Sequence, residues 1–252
     1  MRERFDWALM TAAELYRRGD LSGAIKALGG ELRDNPTDTK RRTFLFELLC
    51  FAGEYDRAEM QLDILADSSP DAATGALMYR AALAGERTRN DLFAQKKYPV
   101  TEAGTVSGKL NGKPFGWLED ADARIGPRLE IFAAGSYMWL PLAHIASIEL
   151  QPPKRLRDLL WAPAMVRTGP KFRAMELGEV MVPALSPFSF RHSDDAVRLG
   201  RVTVWEEQEG GGAVPFGQKM LTVDGEDFPL LELRRLEIAG AEEAPQNHAS
   251  AQ

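Results

Sequence analysis

The chain has 252 residues, 44% of them hydrophobic and 27% charged, with a net charge of −6. Such proportions describe a globular protein long enough for one large domain or two ordinary ones, and the acidic balance excludes a general nucleic-acid binder, which needs a basic face. No apolar run reaches the roughly 18 residues of a membrane span.

The first ten residues, MRERFDWALM, are charged and amphipathic and carry no apolar core with a cleavage site, so no export signal is expected. Trp7, Leu9, Ala13 and Tyr16 give the first predicted helix an apolar side, and Leu21, Ile25, Leu28 and Leu32 do the same for the second. Helices are predicted near 39–52 and 56–66, the first of them bearing Cys50 among Phe44, Leu45, Leu48, Leu49 and Phe51. Cys50 is the only cysteine, which excludes an internal disulfide and fits a reducing cytoplasm; its apolar neighbours make it a packing residue.

These helices repeat with a period of 34: Leu15, Gly19, Ala24, Leu28 and Pro36 recur as Leu49, Gly53, Ala58, Leu62 and Pro70. That period belongs to tetratricopeptide-like helical hairpins, in which the glycine turns the chain, the alanine allows close approach and the proline stops the second helix. Thr11 and Ala12 depart from the residues a standard repeat often has there. A third unit is expected from Asp71, with Leu77, Ala81, Ala82 and Leu83 facing inward. Its Gly85 falls two residues short of the repeat, which marks a divergent unit or a cap.

After Tyr98-Pro99 the texture changes. Thr105–Leu118 reads as a hairpin turning at Asn111-Gly112. Short β-type runs follow at 129–133, 137–140, 145–150, 164–167, 202–206, 219–223 and 228–233, separated by turn residues. The predicted class is therefore α+β: tetratricopeptide-like hairpins over 1–98, a β-rich antiparallel barrel or sandwich over 99–238, and a polar disordered tail over 239–252.

No set of residues in the sequence carries a recognisable reaction chemistry. His144, placed on an apparent strand, His192 in a polar loop and His248 in the tail pair with no second ligand at a metal-binding spacing. Ser193 and Asp194 beside His192 do not make a catalytic triad, because adjacent loop residues seldom face one another. Glu119, Asp120 and Asp122 fail the calcium-loop pattern, and with Arg124 and Arg128 nearby they read as ion pairs and turn caps. Gly210-Gly211-Gly212 lacks the lysine and hydroxyl of a phosphate loop, and Lys154, Arg155 and Arg157 are balanced by Asp158. No enzyme activity, cofactor or metal is expected. The alternative is a small-ligand or catalytic site in the β-rich part, built on Asp120, Asp122 and Arg124.

The stretches NGKPFGWLEDADARIGPRLEIF at 111–132, SYMWLP at 136–141, LRDLLWAPA at 156–164 and VRLGRVTVW at 197–205, with FLFELLCFAGEYDRAEMQLDIL at 44–65, resemble the ImpE/TagJ (SciE-type) family of type VI secretion accessory proteins. The resemblance runs from about residue 7 to 235 and is weakest over 169–196. Within it, Gly112, Pro114, Gly126 and Pro127 shape turns, and Phe115, Trp117, Trp139 and Trp161 supply large buried area. Asp120, Asp122 and Arg124 tie one connection, and Arg157 with Asp158 another. It implies a non-enzymatic cytoplasmic adaptor that binds a helix of a TssB-like contractile-sheath subunit. It further implies sheath assembly, or disassembly linked to the AAA+ ATPase ClpV by direct or indirect contact. Stacked hairpins make a groove that suits an amphipathic helix, and if their first helices line it, Tyr16, Phe44 and Glu47 are the candidate contacts.

Overall fold

A computed structural model describes residues 10–99, 104–133, 135–169, 172, 176–208 and 212–240. Trp7, Leu9, Gly210, Gly211, His248 and the tail from Ala241 lie outside the described residues.

Two antiparallel hairpins open the fold: α1 (Ala12–Arg18) with α2 (Leu21–Asp34), and α3 (Thr39–Phe51) with α4 (Tyr55–Ala66). Local chemistry sets their ends. Thr11 and Glu14 form a reciprocal capping box, while Asp20 and Asp38 cap α2 and α3 through the amides of Gly23 and Arg41. The repeated glycines turn the chain in the left-handed region, Gly19 at φ +90° and Gly53 at φ +70°. A Cβ at Gly53 would also lie 2.2 Å from the ring of Phe190, so the repeat position makes room for the β-rich part.

The third unit is not a hairpin. One 25-residue helix, α5 (Pro70–Ala94), runs through the whole segment. Pro70 sits in its first turn beside the capping Ser69, where a missing N–H costs nothing, so it starts a helix as well as ending the preceding one. Gly85 is mid-helix, and a Cβ there would approach Phe132 Cδ1 to 2.6 Å. Its role is close packing of helix on sheet, not a turn. Ala82 and Leu83 are buried as expected, whereas Leu77 is 67% exposed and does not face inward.

The remaining chain forms an open antiparallel sheet of eight strands: β1 (Gly108–Leu110), β2 (Lys113–Phe115), β4 (Arg128–Ala133), β5 (Ser136–Pro141), β6 (Ile145–Leu150), β7 (Trp161–Thr168), β8 (Glu176–Pro183) and β13 (Arg235–Ile238). Their order is β2-β1-β13-β6-β7-β8-β4-β5, so the end strands do not meet and the barrel alternative is corrected. A three-stranded sheet combines β3 (Leu118–Asp120), β11 (Met220–Val223) and β12 (Glu226–Pro229); β9 (Thr203–Glu207) and β10 (Ala213–Gly217) form a separate hairpin. Asn111 and Gly112, at φ +49° and +81°, make the predicted mirror-image turn between β1 and β2. His144 ends a 3-10 turn before β6, not a strand. The predicted run at 228–233 is half strand and half 3-10 turn (Leu230–Glu232).

Alternation along the strands gives the large sheet two apolar faces. Leu129, Ile131, Ala162, Ala164, Val180 and Val182 point into one core with Leu118, Leu221 and Leu230. Phe132 and Trp161 join a second core with Phe46, Leu49, Cys50 and Leu83 of the helices. The helices and the sheet thus share this second core.

Candidate functional site: the seam between helices and sheet

In a hairpin stack of this kind the first helix of each unit lines the inner face. Here α1, α3 and α5 present that face to the chain's own β-rich part. Arg201 lies over the Tyr16 ring at 5.0 Å, and Arg157 over Tyr79 at 4.8 Å. Trp161 stacks on Tyr79 with ring centroids 6.0 Å apart, contacts Phe46 at 6.4 Å, and donates its Nε1–H to Glu86 at 3.1 Å. Trp161 lies next to the 3-10 turn Leu156–Leu159, which projects it at the helices.

Beside this aromatic cluster is a buried charge network. Arg89 of α5 forks onto Glu130 of β4 through Nε and Nη2, both at 2.8 Å, and donates to the Leu185 carbonyl at 2.9 Å. Lys219 reaches Glu130 at 2.6 Å and Asp120 of β3 at 2.5 Å, and the Tyr137 hydroxyl donates to Glu130. Arg89, Glu130, Lys219 and Asp120 are each no more than 2% exposed. Four separated segments are therefore tied by charge-assisted bonds in a water-poor interior.

Two cations here face three carboxylates, counting Glu86 at 3.6 Å from Arg89. The environment separates their acidities. Burial opposes ionisation of Glu130, yet Arg89 and Lys219 outweigh it and hold its pKa down to about 2. At Asp120 burial dominates over Lys219 and, with Glu130 adding repulsion, pushes the pKa up to about 7. Burial likewise raises Glu86. One carboxyl in the cluster is accordingly poised towards its protonated form.

Asp122 and Arg124 stand next to the network but are occupied locally. Arg124 donates to Asp122 through its backbone N–H, Nε and Nη2 at 3.0, 2.8 and 2.6 Å, and its guanidinium lies 5.0 Å from the Phe93 ring centre. Asp120 also accepts the Asp122 amide at 2.9 Å. A small space lined by Cys50, Tyr55, Glu86, Arg89, Ser186 and other residues is about 20 Å³, room for about one water. No cluster of three metal-ligating side chains occurs among the described residues.

The other residues singled out in the sequence fall in three places. Tyr16 and Phe44 are half-buried and pack edge-to-face at 5.7 Å, while Glu47 is 7% exposed and lies 3.8 Å from Arg157. Glu47 therefore faces the β-rich part, and the expected open inner groove is filled from within the chain. Asp158 binds the amides of Lys154 and Arg155, whereas Arg157 crosses to the helices, so the two do not bond each other. Gly112, Pro114, Gly126 and Pro127 stand in turns and short strands, Phe115 and Trp161 are buried, and Trp117 is half-buried with its amide on Asp224. His192 binds the Asp194 amide through Nδ1 and sits 3.2 Å from Glu206, so no triad forms with Ser193. Sequence reasoning missed Arg89, Glu130 and Lys219. Lone charges within otherwise apolar strand and helix faces were the available signal.

The architecture defines an α+β protein in which helical hairpins are locked on an open antiparallel sheet. The ImpE protein family matches residues 112–237, and the type VI secretion system accessory component TagJ of Pseudomonas aeruginosa is 32% identical over 264 residues, covering 91% of each chain. This chain belongs to the ImpE family. The crystal structure of protein VPA1032 from Vibrio parahaemolyticus has the same fold, with a TM-score of 0.79 at 21% identity over 90% of this chain and 97% of that one.

Proposed function

We propose that this protein is a non-enzymatic accessory component of a type VI secretion system, working in the bacterial cytoplasm as an adaptor for a TssB-like sheath subunit. The observation that carries the reading is the likeness, along 91% of both chains, to a relative named as such an accessory component. The side chains of Asp120, Asp122 and Arg124 are occupied by Lys219, by the Asp122 amide and by one another, which weighs against a catalytic role. We take residues 1–98 and 99–238 as two units that act as one body through their shared core. Assistance to sheath assembly or to ClpV-linked disassembly is the finer part of the proposal.

The direct test is calorimetric titration of the full chain with the purified small sheath subunit. Saturable one-to-one binding supports the adaptor role, and the absence of binding at tens of micromolar contradicts it. Comparing ClpV-driven sheath disassembly with and without the protein separates the disassembly role from an assembly role.

A further inference from the structure

With the inner face of the hairpins closed by the chain's own sheet, docking must use another surface. The second helices offer one. Ser22, Lys26, Gly29 and Arg33 follow one another along α2 at helical spacing, and with Glu54 and Arg57 at the start of α4 they line an open surface groove. Ile25 lies at its floor, 8% exposed. The groove carries three cations against the single carboxylate of Glu54, which pairs with Arg57. Lys26 and Arg33 have no ion-pair partner among the described residues. In a chain of net charge −6, a local excess of positive charge on a helical surface stands out.

Gly29 adds an observation of a different kind. A glycine inside a helix costs roughly 0.5–1 kcal/mol relative to alanine, so it needs a packing reason. Gly23 has one, since a Cβ there would strike the capping Asp20 carboxylate at 2.2 Å. At Gly29 the Cβ position meets nothing within 4 Å beyond its chain neighbours and the backbone of its own helix. The space is open towards the groove, and nothing in the described fold requires the side chain to be missing. Gly75 in α5 is equally open, so open space alone decides nothing. Only at Gly29 does it coincide with the cationic walls.

We infer that the α2–α4 groove is a docking site for a carboxylate-rich helical segment of a partner protein, with Gly29 admitting the segment's backbone and Lys26, Arg33 and Arg57 meeting its acidic side chains. Charge complementarity selects the partner's sign. The groove runs along one side of α2 against the first turn of α4, a surface on which a helix can lie lengthwise, and the missing Cβ permits close approach. An extended nucleic acid fits less well, because it needs a longer basic track than three side chains on an acidic protein.

The identification of that partner as the sheath subunit rests on the proposed function; the groove's preference for an acidic helix does not. The test therefore has two arms. In the first, a fluorescent Glu/Ala-rich helical peptide is titrated into the full chain, into Gly29→Leu and into Lys26→Glu/Arg33→Glu. Gly29→Leu raises helix propensity while filling the groove, so it keeps the protein folded. Salt-sensitive binding that weakens about tenfold or more in both variants, with unchanged melting temperature, is the expected result. Equal affinity for wild type and variants, no binding of the peptide, or tighter binding of a single-stranded oligonucleotide overturns the inference. In the second arm the peptide competes with the purified small sheath subunit. Competition joins the groove to the proposed function, whereas variants that lose the peptide but keep the sheath subunit assign the sheath contact elsewhere and overturn the groove as its docking site.

Discussion

Replacing Arg89 by methionine removes the α5 side chain that forms an ion pair with the sheet. Its guanidinium forks onto Glu130 at 2.8 Å twice, donates to the Leu185 carbonyl at 2.9 Å and lies 3.6 Å from Glu86. Its side chain is 3% exposed and that of Glu130 is fully buried. Methionine keeps most of the volume but leaves two carboxylates and a carbonyl without that partner. Lys219 and Tyr137 still serve Glu130, so the loss is that of one partner in a buried pair, about 3–5 kcal/mol. In a chain of this size about 1 kcal/mol shifts the melting temperature by 2–4 °C, giving a fall on the order of 10 °C. Arg89→Lys retains the charge without the fork and should lose less. Arg235→Met is the control, because its ion pairs with Glu149 and Glu237 are half-exposed and worth about 0–1 kcal/mol. Urea unfolding followed by circular dichroism measures all three. If Arg89→Met costs no more than Arg235→Met, the network does not hold the seam.

Asp120 has a folded pKa of about 7 against a reference of 3.8, so its contribution is fully present below pH about 4 and is lost as pH rises through about 7. Glu130, at about 2 against 4.5, acts in the opposite sense, stabilising above pH about 4.5 and losing that effect below it. Unfolding curves from pH 4.5 to 7.5 should therefore decline less steeply for Asp120→Asn than for wild type; parallel slopes would discard the assignment. Gly85→Ala should destabilise by about 1–2 kcal/mol through its clash with Phe132, whereas Gly75→Ala, with no neighbour within 4 Å, should stabilise by up to about 1 kcal/mol; thermal melts of the two variants check both signs. Cys50, whose burial pushes its pKa well up, should react with a thiol reagent only at the rate of unfolding, and prompt reaction in native buffer would contradict its core position.

What the sequence disclosed follows from how local each signal is. The 34-residue period revealed the hairpins because glycine turns and caps such as Gly19 and Asp20 act within a few residues. The Asn111-Gly112 turn was legible for the same reason. Pro70 misled because a proline that ends one helix is equally suited to the first turn of the next. Gly85 reads as a turn in sequence and becomes a packing contact only once Phe132 arrives from β4. β8 lay in the stretch that carried no recognisable pattern, and its pairing with β7 is what sets the sheet order. The seam was the least accessible feature. Arg89, Glu130 and Lys219 lie 41 and 89 positions apart along the chain, and single charges at such separations show no pairing until the fold is known. The same closure hid from the sequence that Glu47 faces Arg157.

The hairpins' inner face packs on the chain's own sheet, and the proposed docking site is the outer groove. Hydrogen exchange of the full chain, alone and with the purified small sheath subunit, distinguishes the two faces. New protection is expected over residues 22–33 and 54–57, with the amides around Trp161 and Arg89 unchanged. Protection confined to the seam, or no change anywhere at saturating subunit, would contradict docking at the groove.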